Sequence, residues 1–226
     1  MPGILDSIER APVMGSKVPQ WLGARLAALV IGAGLGGGTY WAAQATDDAL
    51  RDEYVQAVAA DPATSAGVKV AMVMGAYYES SGKHIGMPYV DKLGKGQPLT
   101  VCNGITGADV VAGRWYSPRD CYLLERGRYL QAEREAQKLL TYWRAYDPFT
   151  QGTFIDFVWN KGAPNLEAST MRRKANAGDL EGACRENPRW NRGTVRGVST
   201  VLPGLQLRGD ANDEICRGWR VAGGMP

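Results

Sequence analysis

An apolar helical stretch that ends in a glutamate and runs into a glycine-rich segment constrains the fold of this chain most strongly. Residues 68–78 are almost all apolar, which predicts a buried helix that carries Glu79 at its end. Residues 82–106 are rich in glycine, which is typical of tight turns. The pattern therefore predicts a small twisted β-hairpin or three-stranded sheet beside the end of a helix.

Two carboxylates in this stretch have unlike surroundings. Glu79 follows Tyr77 and Tyr78, where loss of hydration would favour the protonated acid. Asp91 lies among lysines and glycines, a wetter and more cationic setting that favours the ionised form. Thr100 adds a hydroxyl group beyond them. One proton donor and one carboxylate flanking a bond is the arrangement that hydrolyses a glycoside.

The order of these residues resembles the active-site hairpin of phage endolysins of glycoside hydrolase family 24, the lysozyme-like muramidases. The family pattern is a helix-terminal Glu, Y-x-D, a glycine-containing turn and T-x-C/G-x-G-x-T. Here it reads Glu79, Tyr89-Val90-Asp91, Gly94 and Thr100-Val101-Cys102-Asn103-Gly104-Ile105-Thr106. Further resemblances follow in the family's order at residues 116–124, 157–162, 169–179, 204–208 and 214–216. Together they cover most of residues 68–226.

The resemblance implies a lysozyme-like α+β fold that is mostly helical, with a small β-hairpin or sheet lobe and two lobes about a cleft. It implies cleavage of the β-1,4 bond between N-acetylmuramic acid and N-acetylglucosamine of peptidoglycan, and hence lysis of a host cell. By this resemblance Glu79 is the general acid, and Asp91 with Thr100 activates the attacking water.

The same resemblance assigns substrate binding to Gly104 and Thr106, which match positions that line the substrate cleft. Tyr89 is a further candidate for substrate binding. The sequence departs from the family pattern in the intervals on either side of Asp91, which are a few residues longer than usual. Ile105 also stands where many members carry histidine.

Other functions stay open at this point. A non-catalytic peptidoglycan-binding or membrane-scaffold protein could keep this fold, although it would not need Glu79, Asp91 and Thr100 together. A virion-carried hydrolase or a secreted antibacterial muramidase would use the same chemistry in another setting. A lytic transglycosylase also starts from a glutamate, but it lacks the second carboxylate.

The N-terminal region contains an uncharged run. Residues 26–46 carry no charged side chain, which is long enough for a helix to cross a bilayer. Arg10, Lys17 and Arg25 precede the run and acidic residues follow it, so the positive-inside bias predicts a cytoplasmic N-terminus and an enzyme outside. The few large aliphatic residues contribute roughly −0.3 to −0.6 kcal/mol each, which makes insertion weak. This composition is typical of the signal-anchor-release leader in a subset of the endolysins that the chain resembles.

These features predict four regions. They are a cytoplasmic lead (1–20), a signal-anchor-release transmembrane segment that includes an N-terminal apolar helix (21–46), a short helix and linker (47–67), and the lysozyme-like catalytic domain (68–226). The expected partners are peptidoglycan and the host inner membrane, from which the enzyme is released into the periplasm as a monomer. A permanent anchor, a dimer through Gly32/Gly36 and Gly34/Gly38, and a signal peptide cleaved after Ala45 are rival interpretations.

The cysteines indicate disulfides. Cys102, Cys121, Cys184 and Cys216 all lie on the exported side, and an even count in an oxidising compartment predicts two bridges. Closeness in sequence favours Cys102–Cys121 and Cys184–Cys216, although four cysteines allow three pairings. His84 is the only histidine and no zinc-type spacing is present, so neither a metal site nor a cofactor is expected.

The net charge is +3, and its basic excess lies towards the C-terminus. The basic residues are Arg172, Arg173, Lys174, Arg185, Arg189, Arg192, Arg196, Arg208, Arg217 and Arg220. A basic lobe could aid adsorption to an anionic cell wall. We expect most of these arginines to form a solvated surface, and beyond charge the sequence has no motif for nucleic-acid binding.

Periodicity predicts the remaining elements. Helices are expected at residues 47–60, 118–143, 153–159, 169–176, 180–186 and 203–216, and an exposed loop at 187–201. The charged face of helix 118–143, which includes Glu125, is expected to be solvated. Trp159 is expected in the core, whereas Tyr89 and Trp115 are candidates for the cleft.

Overall fold

The computed structural model describes residues 17–31, 47–80, 83–92, 96–195 and 197–218. Its elements begin with α1 (Gln20–Ile31), α2 (Asp47–Ala60), α3 (Ala66–Ser80), β1 (Tyr89–Val90), β2 (Leu99–Val101) and β3 (Ile105–Thr106). The next are α4 (Pro118–Leu139), a 3₁₀ turn (Trp143–Ala145), α5 (Pro148–Lys161), α6 (Ala163–Ala168), α7 (Thr170–Asn176) and α8 (Leu180–Cys184). A second 3₁₀ turn (Asn187–Trp190), β4 (Arg192–Val195), β5 (Val198–Val201) and α9 (Pro203–Gly218) follow. The predicted α+β class, mostly helical with a small antiparallel sheet, is confirmed.

The helical lobe is built around α3. Its side chains Val68, Val70 and Met72 are all 0% exposed, and α5 packs along the helix. Gly152 of α5 permits this close approach, because a Cβ there would lie 2.5 Å from Cγ1 of Val70. The packing fixes the C-terminal end of α3, and with it Glu79, relative to α5.

Local hydrogen bonds determine where the long helices start. At α4, Ser117 Oγ accepts a hydrogen bond from Asp120 N at 3.1 Å, and Ser117 N donates to Asp120 Oδ2 at 2.9 Å. This capping box, together with Pro118 at the first helical position, starts α4 at residue 118, as predicted. Asp147 caps α5 in a similar way by accepting from Phe149 N at 2.8 Å.

The small sheet lies beside the end of α3. Its strands are antiparallel in the order β1-β2-β3, and Thr100 pairs with Tyr89 on one side and with Thr106 on the other. The turn between β2 and β3 requires positive φ at Cys102 (56°) and Gly104 (87°). Glycine adopts this conformation freely, whereas cysteine does so only at a cost. The sheet therefore brings predicted site residues from separate strands side by side.

The first described helix packs against α3. Leu22 and Leu26 of α1 are 0% exposed, and the ring of Trp21 meets Tyr77 of α3 edge-on, with 5.1 Å between centroids. Within the described ranges, no helix is long and apolar enough to cross a membrane. Residues 32–46 of the predicted span lie outside the described residues, so the transmembrane segment stays a prediction.

Both predicted disulfides are present. Cys102 and Cys121 have Cα atoms 5.4 Å apart, and this bridge joins the β2–β3 turn to α4. Cys184 and Cys216 have Cα atoms 5.7 Å apart and join α8 to α9. The sequence-based pairing is confirmed.

The prediction of a loop at residues 187–201 was wrong. This region forms the second 3₁₀ turn and a hairpin in which Val195 pairs with Val198 across a turn at Gly197, whose φ is 80°. Its β-branched residues suit extended backbone, and the glycine supplies the turn. The strands are largely exposed, as expected for this region.

Candidate active site

Glu79 lies in the last turn of α3 at the rim of the cleft. Arg208 of α9 donates a hydrogen bond from Nη1 to Glu79 Oε1, and Asn160 Nδ2 of α5 lies 3.4 Å from the same oxygen. The side chain of Glu79 is 32% exposed. The expectation that Tyr77 and Tyr78 remove it from water was therefore wrong, because the carboxylate is hydrated and paired with a cation.

Arg208 is itself held by a second carboxylate. Its Nη2 and Nε donate to Asp156 Oδ1 at 2.7 Å and Oδ2 at 3.0 Å, and Asn212 Nδ2 donates to Oδ2 at 2.7 Å. Burial alone would lower the pKa of Arg208, but the charge and hydrogen bonds of Asp156, with the charge of Glu79, raise it well above its usual range. Most of the basic residues were expected to be solvated, whereas Arg208 is a buried cation that orients Glu79. The sequence signal for Arg208 was its place in the motif at residues 204–208.

Asp91 and Thr100 lie on the sheet side of the cleft. Asp91 N donates to Pro98 O at 3.0 Å and closes the connection between β1 and β2. Thr100 Oγ1 donates to the same carbonyl at 3.2 Å, and the residue is only 3% exposed. Both residues are therefore fixed by the backbone of one connection.

Tyr89 lies on β1, directly before the connection that Asp91 closes. Partial burial raises the pKa of its hydroxyl, and the negative charges of Asp91 and Glu79 raise it further. Tyr89 is 44% exposed, so it is open to solvent.

A cavity of about 450 Å³ adjoins Glu79. The other residues that line it are Asn103, Gly104, Arg128, Gln131, Ala132, Glu135, Val158, Trp159 and Asn160. Its volume lies within the range of small-ligand sites, about 300–1,000 Å³. Of the predicted catalytic and substrate-binding residues, Glu79 and Gly104 line this cavity. Tyr89, Thr100 and Thr106 lie in the sheet and Asp91 directly follows β1, all outside the cavity lining. Trp159, expected in the core, is partly buried and also reaches the cavity.

Glu125 is a buried carboxylate that the sequence interpretation placed on a solvated face, which was wrong. It is 0% exposed, and its Oε1 accepts from Asn103 N at 3.0 Å and Asn103 Nδ2 at 2.9 Å. Its Oε2 accepts from the hydroxyl of Tyr54 at 2.5 Å. Burial raises the pKa of Glu125 to about 7, although these hydrogen bonds oppose the shift. Its spacing from Cys121, one helical turn earlier, was a signal that it faces the sheet.

The same region contains a group of potential metal ligands. Ligand atoms of Cys102, Cys121 and Glu125 lie within 4.8 Å of one another. Both sulfurs are joined in the disulfide, whereas metal binding by cysteine requires the thiolate. In this oxidised state the group clamps the β2–β3 turn to α4.

Comparison of the sequence with known proteins identifies a family. The Phage lysozyme family matches residues 86–212, which is more than half of the chain. The SAR-endolysin of Bacteriophage PS119 is 34% identical over 137 residues, which cover 57% of this chain and 72% of that protein. The SAR-endolysin of Enterobacteria phage P21 is 34% identical over 131 residues, which cover 58% and 73%.

Solved structures show the same fold. The endolysin from Escherichia coli O157:H7 phage FAHEc1 has a TM-score of 0.58 at 17% identity, covering 65% of this chain and 90% of that one. The active form of the P1 phage endolysin Lyz has a TM-score of 0.55 at 19% identity, covering 80% and 96%. Fold and sequence therefore agree that the chain belongs to the phage lysozyme family and is a lysozyme-like peptidoglycan hydrolase.

Proposed function

We propose that this protein is an exported endolysin that hydrolyses the β-1,4 bond between N-acetylmuramic acid and N-acetylglucosamine and so causes host cell lysis. The observation that carries the proposal is the position of Glu79. Its carboxylate stands at the rim of a cavity of about 450 Å³, with the Asn103–Gly104 turn also lining that cavity. Arg208 fixes the carboxylate there through Oε1, so Oε2 is the oxygen that we expect to face the glycan.

In the proposed reaction, Glu79 gives its proton to the glycosidic oxygen while the bond from that oxygen to the anomeric carbon breaks. A water molecule oriented by Asp91 and Thr100 attacks the anomeric carbon and gives its proton to the Asp91 carboxylate. Thr100 Oγ1 uses its one hydrogen to donate to Pro98 O. The lone pairs of the same hydroxyl oxygen can therefore accept a hydrogen bond from this water.

A general acid must present its carboxyl group to the leaving oxygen in a fixed direction. The side chain of Glu79 is 32% exposed, so it can reach a glycan in the cleft. The hydrogen bond from Arg208 to Oε1 keeps the carboxyl group aligned for this contact.

Residues 21–46 serve in this proposal as the signal-anchor-release segment, which holds the enzyme at the host inner membrane before it enters the periplasm. The relatives from phages PS119 and P21 carry the name SAR-endolysin. The packing of α1 supports release without cleavage, because the enzyme body supplies an apolar partner for Leu22 and Leu26. Cleavage after Ala45 would remove that helix.

The release step predicts the mass of the active enzyme. We expect the full-length mass in both the membrane and the soluble periplasmic fractions, with wall-degrading activity in the soluble fraction. Intact-mass spectrometry of the two fractions provides this measurement. A soluble active species that begins at Thr46 would show instead that the segment is a cleaved signal peptide.

The catalytic assignment predicts the effect of Glu79→Gln. Loss of general acid catalysis should slow cleavage of purified cell-wall sacculi by roughly 10²–10⁴-fold. The melting temperature should stay near that of the wild type, because a glutamine oxygen can still accept from Arg208. Glu167→Gln, at an exposed glutamate of α6, is the matched control and should retain full activity. Wild-type activity in Glu79→Gln would refute the assignment.

A further inference from the structure

We propose that Glu125 is a positioning residue of the cleft, which holds the turn of Cys102, Asn103 and Gly104 in its working shape and ties that turn to α2. The inference rests on the proposed function, because it concerns the same cleft. Glu125 does not line the cavity next to Glu79. It acts through Asn103, which does.

The turn needs an external support to keep this shape. Cys102 adopts a positive φ of 56°, which is unfavourable for a residue with a Cβ. Asn103 is only 8% exposed, and its backbone N–H and side-chain amide both point at the Glu125 carboxylate. Buried donors without an acceptor are costly, so without Glu125 the turn would have to open towards water. Gly104 would then move, because it follows Asn103 directly and lines the cavity.

Helix α4 provides the support from a single face. Cys121, Glu125 and Arg128 are spaced by one helical turn each, so they lie on the same side of the helix. Cys121 is bridged to Cys102, and Arg128 Nη2 donates to Thr106 O at 2.7 Å. Glu125 stands between these two attachments and holds the middle of the turn.

The second oxygen of Glu125 extends the support to α2. Tyr54 donates to it at 2.5 Å, and Tyr54 is 4% exposed. Burial first, and then the charge of Glu125, raises the pKa of Tyr54 well above its usual value, so the hydroxyl keeps its proton and remains the donor. One carboxylate therefore joins a helix outside the cleft to the turn that lines it. The shape of the turn thus depends on the docking of α2.

Substitutions at Glu125 distinguish a role in positioning the turn from a general role in the stability of the fold. Glu125→Leu keeps an apolar side chain of similar reach but leaves the donors of Asn103 and Tyr54 without an acceptor. Glu125→Gln keeps one oxygen acceptor for Asn103 and should rescue most of the function. Tyr54→Phe removes only the link to α2 and should have an intermediate effect. Met171→Ala is the control, because Met171 is 0% exposed in α7 and has no part in the cleft.

The readouts are kcat and KM on solubilised glycan strands, and amide hydrogen exchange, both at a temperature where every variant is folded. We expect Glu125→Leu to lower kcat at least about tenfold with a smaller change in KM, because misplacement of cleft groups mainly affects the reaction step. We expect exchange protection to fall at residues 102–106 while the helices keep theirs. Met171→Ala should lower the melting temperature without either effect.

The outcomes decide the proposal separately from the enzyme's function. The proposal is overturned if Glu125→Leu and Met171→Ala have the same kcat at similar stability. It is also overturned if Glu125→Leu loses amide-exchange protection evenly over the whole chain, because Glu125 would then be only structural. If Glu125→Leu does not fold, the comparison of Tyr54→Phe and Glu125→Gln with the wild type makes the same decision. If the wild type does not cleave the glycan, the proposed function fails, whereas the local exchange pattern still decides whether Glu125 holds the turn.

Discussion

Asp156 illustrates how much a single buried residue determines at this site. It is 1% exposed and carries the charge that balances Arg208, which in turn orients Glu79. Breaking a buried ion pair from one side typically costs about 3–5 kcal/mol, since the remaining charge stays buried without its partner. We therefore expect Asp156→Ala to lower the free energy of unfolding by about 3 kcal/mol or more, and to lower activity by releasing Arg208.

Guanidinium chloride unfolding measures this effect, and α8 offers a control. Glu181 pairs with Arg185 one helical turn away, at 2.6 Å, and both side chains are 58% exposed. Exposed pairs of this kind contribute roughly 0.2–1 kcal/mol, so Glu181→Ala should have little effect. Equal losses in the two variants would contradict the assignment of Asp156 as the support of Arg208.

The residue scale also shows what the sequence can and cannot predict. Local signals predicted the position of Glu79 at the end of a helix. Short separations along the sequence predicted the two disulfide pairs. Glu125 was assigned to a solvated face, and Arg208 belonged to a basic set of which most members were expected to be solvated. A charge in a helical pattern gives no sign of a partner far away in the chain. Arg208 reaches Glu79 across 129 residues, and Glu125 reaches Tyr54 across 71. Such partners emerge only when the helices are packed.

At the scale of elements, the contact of α3 with α5 sets the position of Glu79. A Cβ at Gly152 would lie 2.5 Å from Cγ1 and 2.8 Å from Cβ of Val70, so Gly152→Ala must push the helices apart. Overpacking of this kind costs typically about 1–3 kcal/mol. We expect that loss of unfolding free energy, together with reduced activity as Glu79 shifts relative to Asn160 and Arg208.

Gly127 provides the control for this substitution. It lies inside α4, and a Cβ there would meet nothing within 4 Å. Gly127→Ala should therefore stabilise the protein by up to about 1 kcal/mol, because alanine is the better helix former. Chemical denaturation of both variants makes the comparison, and a Gly152→Ala protein as stable as Gly127→Ala would contradict the close packing.

Elements with strong local signals were predicted well. The apolar run expected at residues 68–78 is α3, which extends to Ala66–Ser80, and the start of α4 follows from its capping box. The β4–β5 hairpin was missed, because short exposed strands have no buried face to give an alternating pattern. Helix α6 was not predicted either, since Ala163–Ala168 is too short for a periodic signal.

At the scale of the whole molecule, the cleft lies where the helical lobe meets the sheet. Glu79 comes from the helices, Thr100 comes from the sheet, and Asp91 directly follows β1. The turn anchored by Cys121 and Glu125 joins the two lobes. A protein that only bound peptidoglycan would not need the Asp156–Arg208 support behind a solvent-facing glutamate. The arrangement as a whole thus favours an enzyme that transfers a proton to its substrate and adds water.

The chemistry of the products tests this claim most directly. Purified sacculi digested with the full-length protein should give muropeptides that end in reducing N-acetylmuramic acid, each heavier by one water than an anhydro product. Mass spectrometry before and after borohydride reduction distinguishes the two, with Glu79→Gln as the inactive control. Reducing muramic ends that depend on Glu79 are the predicted result. Anhydromuramic ends, or products that end in reducing N-acetylglucosamine, would contradict hydrolysis of the proposed bond.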